Sequence, residues 1–324
     1  MKLRYLFITL LFFGVLLFAS LSLILEVSEV LGQPAPAPAA PAVSEPEPEP
    51  EAAPVATPPA PAVQTPATAA PAVANPPVAG LYDPQKLQAA REKYAGVPPQ
   101  EWSEQVSGTV QQVDVPASNE RVLFLTFNVY TKNWPELFDF LQQRNVKSTV
   151  FLSGTWVRRN AGQAQKIGAL PALFEIGNHG NRNIALSVNG ATAYGRKGTE
   201  SLAAAFGEII TGAETIKDAT GQTPRYVRPF FNYTDDVVVS ALKEAGIKTV
   251  GVTVFADGGG LFGAEKIKSQ ILNAPHGAII LLSINPDYPN IFNGLKAAVE
   301  EMKQLKIPVR FEHLANYEQY FHYR

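Results

Sequence analysis

Residues 121–154, RVLFLTFNVYTKNWPELFDFLQQRNVKSTVFLSG, constrain the fold more than any other stretch. Residues 122–127 form a near-continuous apolar run, the pattern of a strand buried on both faces. Trp134, Leu137, Phe138 and Leu141 then recur at helical spacing, with Asn133 placed to cap that helix. A β-branched run resumes over residues 147–152. A strand, a crossover helix and a second strand imply a parallel sheet. In such sheets the chemistry sits at the carboxyl ends of the strands. Here that place carries Asn128, Val129 and Tyr130. Asn128 has no titratable proton and Val129 offers no ligand atom.

The same alternation continues to the C-terminus. Strands are expected over 122–128, 148–152, 174–178, 226–231, 249–255, 278–284 and 308–312. Helices are expected over 137–143, 199–217, 235–245, 264–272 and 291–303. Gly246 reads as a helix-ending glycine, and Thr234-Asp235-Asp236 as a helix start whose aspartates cap rather than bind metal. Regular alternation means one α/β domain with a parallel sheet, and about seven units fit a distorted (β/α) barrel. The sequence has no internal repeat.

The first part of the chain is of another kind. Lys2 and Arg4 precede the uncharged, apolar segment 5–25, about the ~20 residues a membrane-spanning helix needs. That is longer than the ~7–15-residue apolar core of a cleaved signal peptide, although Ala19 and Ser20 leave cleavage open. The basic flank predicts a cytoplasmic tail at 1–4, a single-pass anchor at 5–25 and an extracytoplasmic remainder. Residues 26–80 read as a linker, and from residue 33 it holds more than half of the chain's 27 prolines. It carries a Glu-Pro run over 45–51, with no basic or aromatic residue from 33 onward, so it has little to bury. Residues 81–118 form a transition with a short helix at 84–94, and 119–324 form the globular domain. A net charge of −2 gives no reason to expect a nucleic-acid partner. The absence of cysteine removes disulfides, thiolate metal sites and a thiol nucleophile.

Polar residues stand at several expected strand ends: Gly177-Asn178-His179 followed by Asn183, then Arg228-Pro229-Phe230-Phe231-Asn232, Asp257, and Ser283. A barrel would aim them at one cleft. With these motifs in this order, residues 119–315 resemble the polysaccharide deacetylases, the NodB-like carbohydrate esterases. Those proteins are distorted barrels that remove acetyl groups from chitin, peptidoglycan or related glycans with a divalent metal such as zinc. The family's Thr-Phe-Asp-Asp-Gly run is Thr126-Phe127-Asn128-Val129-Tyr130 here. Its Glu-Ile-Gly-Asn-His stretch is intact at 175–179, but Asn183 replaces the second histidine. Its Arg-Pro-Pro-Tyr-Gly is Arg228-Pro229-Phe230-Phe231-Asn232, its Asp-Trp pair is Asp257-Gly258, and its final Leu-His becomes Leu282-Ser283.

The resemblance implies a base at position 128, metal ligands at 129, 179 and 183, and an acid at 283. Asn128, Val129 and Ser283 cannot fill those roles, and Asn183 offers only an amide oxygen, which suits zinc poorly, so His179 is left as the one clear ligand. The expectation is a domain that has lost metal-dependent deacetylation and has no resident cofactor. Tyr130, Arg228 and Phe231 are the candidate glycan contacts, and Arg228, deprived of an aspartate at 128, is expected to pair with Asp257. Partners follow as cell-wall polysaccharide or peptidoglycan, an extracytoplasmic protein, and the membrane through the N-terminal helix. Two other readings remain: an active de-N- or O-acetylase with altered chemistry, using Asp257 as base, and a purely structural module with a filled cleft.

Overall fold

The computed structural model describes residues 82–324. The expected anchor and linker lie outside the described residues. Among the described residues no helix is long and apolar enough to cross a membrane.

The main sheet has eight strands, labelled β1 (Arg121–Val129), β2 (Ser148–Leu152), β3 (Phe174–Asn178), β4 (Tyr226–Val227), β5 (Lys248–Thr249), β6 (Val254–Phe255), β7 (Ile279–Ser283) and β8 (Val309–Phe311). Seven follow the order β5-β4-β3-β2-β1-β7-β6, and β8 pairs with the start of β1; every pairing is parallel. The sheet is a half-barrel of the kind expected from the alternating sequence. The helices are α1 (Pro84–Lys93), α2 (Pro135–Arg144), α3 (Gly154–Arg159), α4 (Ala161–Gly168), α5 (Leu202–Thr220), α6 (Asp236–Glu244), α7 (Ala264–Leu272) and α8 (Pro289–Gln304). α3 and α4 were not anticipated. They are short, and the chain turns between them at Asn160, which is too little length for a periodic signal.

The period of two in β1 explains its unbroken apolar sequence. Leu123, Leu125, Phe127 and Val129 join a cluster with residues of the flanking helices, such as Leu137, Leu141, Leu295 and Val299. Val122 and Phe124 face the other way, into a second cluster with Phe151, Tyr226, Val250 and Ile279. Both faces are therefore buried, and each large apolar side chain contributes ~1.5–3 kcal/mol by leaving water. The even-numbered set continues upward to Thr126 and Asn128 in the barrel interior.

The expected strand 249–255 is broken because it changes neighbours. Val250 N–H still donates to Val227 O, Gly251 N–H to Val110 O, and Thr253 N–H to Ile279 O. The run thus leaves β4 and joins β7, and the two ends of the sheet order are its two halves. The segment Val110–Val113 fills the switch point, with isolated bridges to Val250 and Ala278, and pairs antiparallel with Phe321–Tyr323. Gly277 permits the approach: a Cβ there, at φ +79, would lie 1.9 Å from Val113 O.

The transition segment is part of the domain rather than separate from it. Leu87 and Ala90 of α1 pack in one cluster with Phe206, Ile209, Val238 and Leu242, and Trp102–Ser103 pairs antiparallel with Thr234–Asp235. Asp235 caps α6 through Val238 N–H at 2.8 Å, as its sequence predicts. Asn133 does not cap α2. The helix starts at Pro135 after Trp134, so a cap at 133 would face a residue with no N–H to give, and a residue preceding proline disfavours helical geometry. The expected strand 226–231 ends at Val227: Pro229 has no N–H for a ladder, and Phe231 and Asn232 adopt φ +60 and +62, outside any strand conformation.

Candidate functional site at the strand ends

Arg228 is the hub of the barrel mouth. It has no exposed surface, and its guanidinium lies 4.1 Å from the ring centroid of Phe151. Nη1 donates to Thr126 Oγ1 at 2.8 Å and to Asn128 Oδ1 at 3.3 Å. Nε donates to Val250 O and Nη2 to Gly251 O, at 3.2 and 2.9 Å. Thr126 and Asn128 both reach it because they are two apart on β1 and share the inner face. The guanidinium therefore rests on neutral acceptors alone. Burial pulls its pKa down to about 9. The expected partner, Asp257, is elsewhere: its carboxylate accepts Ser283 N–H at 2.6 Å and Gly259 N–H at 3.0 Å. That corrects the Arg228–Asp257 pair. The carboxylate is taken by the end of β7 and by its own turn, and neutral backbone carbonyls at the β5–β6 switch take its place at Arg228. Asp257 is 1% exposed, and burial raises its pKa.

His179 directly follows β3, and its backbone N–H donates to Leu152 O at 2.8 Å. Its ring is fully buried, with Nδ1 2.8 Å from Arg228 O. A carbonyl can only accept, so Nδ1 carries the proton and Nε2 is a bare acceptor. Nε2 is buried and has no partner. Burial, reinforced by the Arg228 charge, pushes the imidazole down to about 3, so the ring stays neutral. Two aromatic rings wall it in: Tyr130 at 5.7 Å and Phe230 at 5.6 Å between centroids, themselves edge to face at 5.1 Å.

Asn183 stands on the loop after His179 at φ +62. Its Nδ2 donates to Tyr130 O at 3.2 Å, while its Oδ1 is buried without a partner. The loop is held by Glu208 of α5, which is 2% exposed. Its Oε1 accepts Asn181 N–H at 2.8 Å and Arg182 N–H at 2.5 Å, and its Oε2 accepts Arg182 Nε–H at 3.2 Å. Sequence reasoning missed Glu208, since a glutamate in a helix gives no hint that it turns inward. Val129 points away from all of these, into the helix-side core.

The motif positions are brought together, but closed. Asn128, Val129, His179, Arg228 and Asp257 are all buried, and only Asn183, Ser283, Tyr130 and Phe231 keep partial exposure. Arg228, expected as a glycan contact, lies beneath the surface and has no face to offer one. Trp134 and Phe230 are core.

A match to the polysaccharide deacetylase model spans residues 116–250. A chitooligosaccharide deacetylase of Bradyrhizobium sp. (strain ANU 289) is 30% identical over 171 residues, covering 51% of this chain and 71% of that protein. The chain belongs to the polysaccharide deacetylase family. Solved structures of the family share the fold. A family 4 carbohydrate esterase of Bacillus subtilis superposes with a TM-score of 0.52 at 21% identity, over 72% of this chain and 89% of that one. A mutant of a family 4 pseudoenzyme, with restored enzymatic activity, gives 0.50 at 21% identity, over 61% and 68%; the wild-type protein comes from Bacillus anthracis.

The family's divalent metal does not fit the residues present. A catalytic zinc takes three protein ligands and keeps one open position. Here the equivalent positions supply His179 Nε2, an amide oxygen from Asn183 and a valine. Among the described residues no three His, Cys, Asp or Glu side chains converge to hold a metal ion. Two neutral donors beside a buried guanidinium lack the anionic ligand that would offset a divalent charge.

Proposed function

We propose that this protein is a catalytically degenerate polysaccharide deacetylase that binds cell-wall or chitin-like glycan without hydrolysing it and without a resident metal. One observation carries the reading: His179, the one retained ligand, lies sealed under Tyr130 and Phe230 above a base position that holds Asn128. An amide cannot take the proton of an attacking water, and without the metal that water keeps a pKa near 15.7 rather than ~7. The family acts on such glycans, and the curated relative is a chitooligosaccharide deacetylase. Residues 5–25 would hold the domain on the outer side of a membrane, with 26–80 as its spacer, so that it meets a polymer rather than a diffusing metabolite.

The binding surface lies outside the sealed site. Tyr130 and Phe231 are its inner members, and both keep partial exposure. Aromatic faces of this kind suit the apolar faces of sugar rings.

Purified full-length protein decides the matter when metal content, acetate release and retention on chitin and peptidoglycan are measured together. The expected result is retention with neither stoichiometric metal nor acetate. A tightly held stoichiometric metal would sink the reading. A second reading has one observation behind it: Asp257 is a buried carboxyl whose pKa is raised, as a general base requires. Acetate release that survives chelators and disappears in Asp257→Ala would establish that altered hydrolase instead.

A further inference from the structure

At the edge of the sealed site, an exposed cation lies against the Phe230 and Phe231 rings. The hairpin Thr192–Ala193 and Arg196–Lys197 turns through Tyr194 and Gly195, at φ +49 and +72. Arg196 is exposed, with its guanidinium carbon 5.4 Å from the Phe230 ring centroid and 5.9 Å from that of Phe231. Tyr194 is 69% exposed and lies edge to face with Phe231 at 5.1 Å and Tyr233 at 5.6 Å. Tyr233 in turn meets Trp102 at 5.5 Å, and Trp102 Nε1 donates to Thr192 O, tying the hairpin down. The result is a row of rings running outward from the mouth, with one guanidinium beside it.

Among the described residues the Arg196 guanidinium has no ion-pair or hydrogen-bond partner, whereas other cations on the hairpin and on the loops after β1 and β3 are engaged. Lys197 pairs with Glu200, Arg182 with Glu208 and Lys132 with Asp287. Glu104, just after the Trp102–Ser103 strand, accepts the Tyr194 hydroxyl and holds that phenol neutral, up at about 12. A guanidinium lying over rings keeps its edge free, and that edge carries the paired N–H fork that matches a carboxylate. The turn has a further feature. A bulky residue at positive φ in a two-residue turn is costly where asparagine or glycine would serve, yet it displays an aromatic ring to solvent.

We infer that the glycan bound at this surface is anionic, and that Arg196 receives a carboxylate from a sugar whose ring stacks on Tyr194 and Phe231. This rests on the glycan-binding reading above and adds the charge of the ligand. A neutral chitin chain would use the rings and leave the guanidinium without a partner; a uronic or carboxylated amino sugar would use both.

The test compares tetragalacturonate with chitotetraose, titrated into full-length protein at low salt. The acidic oligomer is expected to bind at least ~tenfold more tightly, because a hydrogen bond to a charged group outweighs a neutral one by that margin. The advantage shrinks as salt is raised. Arg196→Gln is expected to abolish the preference by weakening tetragalacturonate binding far more than chitotetraose binding, and Arg196→Lys to restore it in part. Equal binding of the two oligomers, unaffected by Arg196→Gln, overturns the charge assignment and leaves the glycan-binding reading standing. Binding of neither oligomer, nor of insoluble chitin or peptidoglycan, overturns both.

Discussion

The Nδ1 of His179 and the carbonyl oxygen of Arg228 are 2.8 Å apart, and that bond fixes the histidine tautomer. The proton sits on Nδ1, so Nε2 presents a bare lone pair inside the barrel mouth, with nothing to accept from. A buried acceptor left without a donor costs ~1–3 kcal/mol. A metal ligand would normally be poised in this way. Here the neighbours at the equivalent positions are Val129 and Asn183, which supply a single amide oxygen between them.

The first prediction concerns acid. His179 has its pKa pushed down to about 3 in the fold, against 6.5 for an ordinary histidine. Below 6.5 the unfolded chain therefore takes up a proton that the fold refuses. The stabilising contribution is fully present above pH 6.5 and is lost as pH falls toward 3, at up to about 1.4 kcal/mol per pH unit. Asp257 acts in the opposite sense: with its folded pKa raised, its contribution is present at low pH and fades as pH rises through that higher value. Denaturant melts at pH 7, 6, 5 and 4 should show a steep fall for the wild type and a shallower one for His179→Gln. Parallel curves for the two proteins would mean that the ring is not buried neutral.

The second prediction concerns the lone guanidinium. Arg228 is already desolvated, so a carboxylate placed beside it supplies the missing half of an ion pair without burying a new cation. Asn128→Asp puts that carboxylate at the atom now 3.3 Å from Nη1. We expect this variant to be more stable at pH 7 by about 1–2 kcal/mol, less what is lost from the 3.4 Å contact of Asn128 Nδ2 with Asn232 Oδ1. Urea midpoints compare the two proteins. A loss of stability would show that the backbone carbonyls of Val250 and Gly251 already neutralise the charge.

The third prediction concerns the cover. Tyr130 stands where the family has glycine, and its ring closes over His179. Tyr130→Gly should uncover Nε2, at a stability cost of about 2–4 kcal/mol for the ring removed. Acylation of histidines by diethyl pyrocarbonate, read by peptide mapping, should miss the peptide carrying His179 in the wild type and modify it in the variant. His322 is exposed, so its peptide serves as an internal control. Modification of His179 in the wild type would contradict the seal.

Much of the fold was legible in the chain because its evidence is local. The apolar run of β1 needs only its own residues to announce a strand buried on both faces, and the spacing of Leu137, Phe138 and Leu141 announces the helix that covers it. The family motifs were legible for the same reason, as were the replacements at 128, 129, 183 and 283, since a side chain without a proton or a lone pair lacks it in any fold.

The tertiary structure decided how the groups are partnered and covered, because both depend on residues distant in sequence. Asp257 is a plausible partner for Arg228 in any linear reading, yet it is taken by Ser283 N–H, and the arginine falls to two carbonyls at a point where an extended run changes neighbours. Glu208 comes to the loop before Asn183 only because α5 lies against it. Arg196 meets Phe230 only because a hairpin is pinned by Trp102 from ninety residues away. Residue chemistry fixes what each group can do, while burial and partnering, which are summed over the whole chain, fix whether it has the chance.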